Sequence, residues 1–242
     1  MSLHIFISGA SGEIGSAAAL KLAGPDHKLF LVGHRNAAAL QTLSDRLAEA
    51  GCLTAAMLAD LSAPEGCAQA VSAAEAFFGT PDLVVNCAGM SRVGLFQDSS
   101  DEDLLRITSL NLLSAVRISK AFVPGMVRRK SGRILNVASV WGEVGASTEV
   151  EYSMTKGGLI AFTKALAKEL APSGIAVNAV SPGAIDTKMN GHLSEEELAA
   201  LAEEIPMGRL GSPEEVADLI ALLAQAPLYL TGQVIRIDGG WI

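Results

Sequence analysis

The chain has little of several things, and each scarcity excludes a class of protein. No apolar stretch reaches the roughly 18–20 residues that a helix needs to span a bilayer, so no membrane partner is expected. The opening Met1-Ser2-Leu3-His4-Ile5-Phe6-Ile7 has no basic residues ahead of its apolar ones. It reads as the start of a strand, not as a secretory leader. Cysteine is scarce: Cys52, Cys67 and Cys87 are odd in number and lack metal-ligand spacing. They read as reduced thiols, which points to the cytoplasm. The four histidines are scattered, with no ligand pair at helical spacing, so no metal site is expected. Basic residues are outnumbered, with 18 Lys+Arg against 26 Asp+Glu and a net charge of −8. Such a chain is a poor ligand for nucleic acid, and none is expected as a partner.

Apolar residues are plentiful. Half of the 242 residues are hydrophobic, enough for one large core and a single domain. Short strand-like runs at 3–8, 28–32, 53–58, 83–85, 132–138, 175–180 and 233–237 alternate with Ala-rich helical stretches. That order predicts an α/β fold, a doubly wound parallel seven-stranded sheet with right-handed crossovers. Residues 101–130 read as mostly helical with Asn111 inside; a mid-helix Asn is a poor helix former and implies a task. Residues 186–210 are polar and acidic and read as a small mobile lobe over the substrate site. Ser212-Pro213 opens the next helix as N-cap and first residue.

Three stretches carry chemistry. The first strand ends at Gly9 and continues through Ala10-Ser11-Gly12-Glu13-Ile14-Gly15 into a helix. A strand, a glycine turn and a helix N-terminus form an entry for a dinucleotide pyrophosphate, because glycine lets the backbone approach and the helix end supplies donors. The second strand is followed by Gly33-His34-Arg35-Asn36. An acid there would bind a ribose 2′-hydroxyl; an Arg suits a 2′-phosphate, so NADP(H) is expected over NAD(H). Third, Tyr152 and Lys156 stand at i and i+4 on one helix face. The ammonium is expected to lower the phenol from its ordinary value of about 10. The phenol then serves as proton donor to a carbonyl, and Ser139, just past a strand end, can hold the same oxygen.

Taken together, Gly9 to Gly15, Asp60, Asn86-Cys87-Ala88-Gly89, Asn111, Ser139, Tyr152, Lys156, Ser181-Pro182-Gly183 and Asp238-Gly239-Gly240 stand in the order and spacing of a known family. The chain resembles the short-chain dehydrogenase/reductases over its whole length. The resemblance implies that Tyr152 is the general acid, that Ser139 orients the carbonyl, and that Lys156 lowers the tyrosine pKa and holds the nicotinamide ribose. It implies that Asn111 anchors a water leading to Lys156. It places Asp60, with Leu61, at the adenine, flanked by Asn86, Ala88 and Gly89. It places Pro182, Gly183, Ile185 and Thr187 over the nicotinamide and pyrophosphate, and Gly9, Ser11, Gly12, Ile14, Gly15 and Arg35 at the phosphates. It implies a homotetramer. One departure stands out: Glu13 occupies the position where members of this size usually carry their middle glycine. A carboxylate beside a pyrophosphate is unfavourable unless it points away.

Two substrate classes are implied. Pro206-Met207-Gly208-Arg209-Leu210-Gly211 followed by Pro213-Glu214-Glu215-Val216 resembles the 3-oxoacyl-[acyl-carrier-protein] reductases, with Arg128-Arg129-Lys130 as a docking patch for the acidic carrier. The stretch from Trp141 to Tyr152 and the run Pro182–Thr187 resemble the reductases of 5-aminopentanone-modified elongation factor P. For that cationic substrate, Glu143 and Glu149 would attract the amine. The ketone is thus either a small molecule or protein-tethered. A third reading, a non-catalytic NADP(H)-binding sensor, fits a chain without a proton donor.

Overall fold

The computed structural model describes residues 2–191 and 193–242. Met1, at the head of the stretch expected to open the first strand, and His192, one of the four histidines and part of the expected lobe, lie outside the described residues.

Seven strands form one parallel sheet: β1 His4–Ser8, β2 Lys28–Gly33, β3 Leu53–Leu58, β4 Leu83–Asn86, β5 Gly132–Val137, β6 Ile175–Pro182 and β7 Val234–Ile237. Their spatial order is β3-β2-β1-β4-β5-β6-β7. The order reverses between β1 and β4, where Ser8 pairs with Asn86. A crevice opens beyond the strand ends at such a reversal. The expected strands are all present, with boundaries moved by at most two residues.

Central strands of a parallel sheet are covered on both faces and so read as continuous apolar runs. On β1, Ile5 and Ile7 pack into one core while Phe6 packs into the other, all fully buried. The first core is closed by helices α1 Glu13–Lys21, α2 Ala37–Glu49 and, near the end of the chain, Pro213–Gln225. The second is closed by α3 Pro64–Phe78 and by the helices that carry Phe122 and Ala167. There Phe6 lies 5.9 Å from Phe30 and 5.2 Å from Phe122, centroid to centroid. Truncating Phe6 to Ala would cost about 3–5 kcal/mol.

The expected helix at 101–130 is three pieces: α4 Asp101–Thr108, a π-helical turn Ser109–Leu113, and α5 Ser114–Arg129. Ser100 and Asp103 form a capping box at its start, and Lys130 closes it in the left-handed region at φ 56°. The π turn widens the helix by one residue and carries Asn111, which is 1% exposed. Such bulges commonly mark functional positions. After β5 come the single turn α6 Trp141–Val144 and the long α7 Val150–Leu170. Residues 186–210, expected as a lobe, include a 3₁₀ turn, Lys188–Asn190, and α8 Glu195–Glu204, capped by a Ser194–Glu197 box. Ser212 caps α9 Pro213–Gln225, with Pro213 in its first turn as expected.

Candidate active site

The residues singled out from the sequence converge at the carboxyl ends of β4, β5 and β6. Ser139 follows β5 and is 6% exposed. Its Oγ accepts a hydrogen bond from the Trp141 amide at 3.2 Å, so the start of α6 fixes the hydroxyl. Tyr152 and Lys156 lie one turn apart in α7, both buried. The Lys156 Nζ donates to the Val137 carbonyl at 2.8 Å and stands 5.6 Å from the Tyr152 ring centroid. Asn111 exchanges two hydrogen bonds with the Met90 main chain, Nδ2 to O and N to Oδ1, each 2.8 Å. Its Nδ2 also donates to the Thr155 hydroxyl at 3.2 Å. A Cβ on Gly89 would lie 3.4 Å from Asn111 Oδ1 and 3.5 Å from Lys156 Nζ. Gly89 therefore lies beside both polar side chains.

Burial sets the charge states. It pushes the Tyr152 phenol up to about 12, against a lowering by the nearby Ser139 hydroxyl; the Glu149 carboxylate raises it further. Burial pulls Lys156 down to about 8, which Cys87 partly opposes. The expectation that Lys156 lowers the tyrosine pKa is not met in this arrangement. The ammonium points at the Val137 carbonyl, and removing a phenolate from water is the larger effect. The outcome is a phenol firmly protonated at neutral pH, beside an amine that titrates near it.

The glycine turn has the shape of a phosphate cradle. Gly9 has φ +70°, and a Cβ there would sit 2.7 Å from the Ala88 amide nitrogen. A Cβ on Gly15 would lie 2.2 Å from the Gly9 carbonyl oxygen. Gly12 caps α1 with no side chain on the first-turn amides, so the N–H groups of Glu13 and Ile14 have no intrahelical partner. The Glu13 carboxylate accepts from the Lys188 amide at 3.4 Å, beside Thr187. Ser11 packs beside Gly33 at the end of β2, and the exposed Arg35 has no ion-pair partner among the described residues. These features fit an anionic dinucleotide.

Other expected contacts are placed less directly. Asp60 is tied to Ser62 through its hydroxyl at 2.6 Å and its amide at 3.0 Å, which lowers the carboxyl pKa. The Leu61 side chain is buried in the second core. Ala88 borders the cradle through its amide. Asn86 is turned inward: its Nδ2 donates to Asn136 Oδ1 at 2.9 Å and to Ser119 Oγ at 3.2 Å. Asn136 continues the chain to Thr163 at 2.8 Å. This buried polar relay under the site has no signature in the sequence. Pro182 ends β6 and Gly183 follows it, and the buried Ile185 bridges to Gly211. Thr187 donates to the Ile185 carbonyl at 3.4 Å.

Two expected substrate contacts change. Glu143 does not face a ligand: it accepts from Ser181 Oγ at 2.6 Å and pairs with Arg236 at 2.8 Å. A carboxylate neutralised this way offers little to a cation. Glu149 remains at the site, where it accepts from Ser91 Oγ and acts on the Tyr152 phenol. In the proposed docking patch, Arg129 is engaged with Thr80, Pro81 and Asp82, leaving Arg128 and Lys130 exposed. The three cysteines are free, and among the described residues no cluster of metal-binding side chains occurs. Among the same residues, no helix is long and apolar enough to cross a membrane.

A parallel doubly wound sheet with a glycine cradle and a buried Ser-Tyr-Lys-Asn set defines a nucleotide-dependent oxidoreductase, and the chain belongs to the short-chain dehydrogenase/reductase family. A family model described as Enoyl-(Acyl carrier protein) reductase matches residues 9–242. The chain is 42% identical over 243 residues to the uncharacterized oxidoreductase YmfI of Bacillus subtilis, covering 100% of this chain and 99% of that protein. It is 37% identical over 235 residues to the 3-oxoacyl-[acyl-carrier-protein] reductase FabG of Pseudomonas aeruginosa, covering 97% and 95%. The FabG of Escherichia coli is 36% identical over the same shares. Membership of this family implies a nicotinamide cofactor.

Proposed function

We propose that the protein is an NADPH-dependent reductase that converts a ketone to a secondary alcohol. The observation that carries this is the convergence of a protonated, buried Tyr152 with Ser139 and Lys156 at the carboxyl edge of the sheet. The cofactor, when bound, supplies the hydride. Gly9, Gly12 and Gly15 let the backbone approach its pyrophosphate, with Ser11 and Ile14 in the same turn. Arg35 binds the 2′-phosphate, and an acid that would prefer a 2′-hydroxyl is missing from this strand end. Pro182, Gly183, Ile185 and Thr187 cover it on the β6 side. Ser139 holds the carbonyl oxygen, and Tyr152 gives it a proton. Lys156 holds the ribose and returns a proton to Tyr152, drawing on a water oriented by Asn111. The subunits assemble as a homotetramer in the cytoplasm.

For the substrate, similarity to two FabG reductases supports a 3-oxoacyl group on acyl carrier protein, docked through Arg128 and Lys130. One observation favours a second reading, an aminoketone such as 5-aminopentanone on elongation factor P. Glu149 faces the reacting phenol, where a carboxylate attracts a terminal amine. A non-catalytic sensor is disfavoured, because a binder has no use for a buried proton donor. The test is NADPH oxidation with a β-keto thioester and an aminoketone side by side. Faster turnover of the thioester supports the first reading, and faster turnover of the aminoketone the second. Turnover of neither overturns both.

A further inference from the structure

The helix that follows Ser139 is a single turn, Trp141–Val144. One turn has no stability of its own, because nucleating a helix costs more than its first hydrogen bonds return. Its place must therefore be fixed from outside. Three contacts do so, all from the β6–β7 side. The Glu143 carboxylate accepts from Ser181 Oγ on β6 at 2.6 Å. The same carboxylate takes Arg236 Nη2 on β7 at 2.8 Å and Nε at 3.4 Å. The Trp141 ring meets Trp241 edge to face, with centroids 4.8 Å apart. Trp241 is held in turn by the Asp238–Ile242 turn, in which Asp238 accepts from the Gly240 and Ile242 amides at 3.0 Å each. Arg236 also donates to the Ile242 carbonyl, which locks that turn to β7. On its far side, α6 is pressed against α7: a Cβ on Gly142 would sit 2.6 Å from the Lys156 carbonyl carbon.

We propose that Glu143, Arg236 and Trp241 form a brace that positions Ser139 through the Trp141 amide. The inference rests on the reductase reading above and adds residues to it. None of the three touches the reacting atoms; they are positioning residues. The route is short: β7 holds α6, the first amide of α6 donates to Ser139 Oγ, and Ser139 Oγ addresses the same oxygen as Tyr152. Removing the ion pair leaves the sheet intact and lets the single turn drift, and a displacement on the order of 1 Å is enough to lower turnover about 100-fold.

Two measurements test this. In Arg236→Met, amide exchange of residues 140–145 should quicken about tenfold, the factor for losing one charge-assisted contact, while the strands keep wild-type protection. Unchanged exchange overturns the brace, with or without a known substrate. The second measurement is a kinetic cycle. Glu143→Gln keeps a partner for Ser181 and removes the charge. It should lower kcat at least about tenfold with KM and NADPH affinity nearly unchanged. In a Ser139→Ala background the same change should lower kcat by less than about twofold, because the group being positioned is gone. Equal losses in both backgrounds overturn the inference. Charge reversal at both positions, Glu143→Arg with Arg236→Glu, should restore part of the turnover lost in either single variant. A wild-type protein that reduces no ketone overturns the reductase reading instead, and the exchange result still judges the brace.

Discussion

Asn111 and Met90 hold each other through a closed pair of hydrogen bonds, each 2.8 Å, across the mouth of the π turn. The side chain of one residue satisfies both main-chain groups of the other, from a position inside the π turn. Asn111→Ala orphans both Met90 groups. It should destabilise the protein by about 2 kcal/mol or more and lower Tm by roughly 4–8 °C. Turnover should fall with it, since Asn111 also ties Met90 to Thr155, one residue before Lys156. An unchanged thermal midpoint would show that water replaces the amide at no cost.

Lys156 gives stability an unusual pH dependence. Its pKa is pulled from 10.5 to about 8 by burial, so the unfolded chain binds a proton that the folded chain has lost between those two values. Where the unfolded state binds more protons, stability rises with pH. The folded protein should therefore gain about 3 kcal/mol relative to Lys156→Met as pH rises from 8 to 10.5. Tyr152 runs the other way above pH 10, because its raised pKa makes the folded state the more protonated one. Parallel denaturation curves for wild type and Lys156→Met across that range would contradict the burial argument.

On the proposed reading, Arg35 selects between the two nicotinamide cofactors. The wild-type protein should bind NADPH at least about tenfold tighter than NADH, the value of one charge-assisted contact. Arg35→Ala should erase most of that difference by weakening NADPH alone. Fluorescence titration reads both affinities. Equal affinities in the wild type would refute the strand-end reading.

On the aminoketone reading, Glu149 links the substrate amine to the phenol. Glu149→Gln should raise KM for an aminoketone about tenfold and leave a neutral ketone unaffected. The variant should also move the alkaline limb of the rate profile to lower pH, since the carboxylate favours the protonated phenol. Equal effects on both ketones would place Glu149 in Ser91's service only.

The α/β class, the parallel seven-stranded sheet and most of the helices were legible in the sequence, whereas the π turn within 101–130 and the single turn α6 were not. Period, caps and glycine turns are local, and a few adjacent residues specify them. The same holds for Ser139, Tyr152, Lys156 and Asn111, whose spacing carried the family. Tertiary structure decided what those residues face. Lys156 stands against the Val137 carbonyl, so burial, not a neighbouring ammonium, governs the phenol. Glu143 and Glu149 look alike in one acidic loop, yet one is neutralised by Arg236 and the other reaches the site. The Asn86–Asn136–Thr163 relay and the Trp141–Trp241 contact join residues far apart in the chain. The sequence alone determined which elements form, because local backbone preferences and apolar periodicity set them. Only the packed sheet decided the charges and partners of the site, because burial and long-range pairing exist only once the strands have come together.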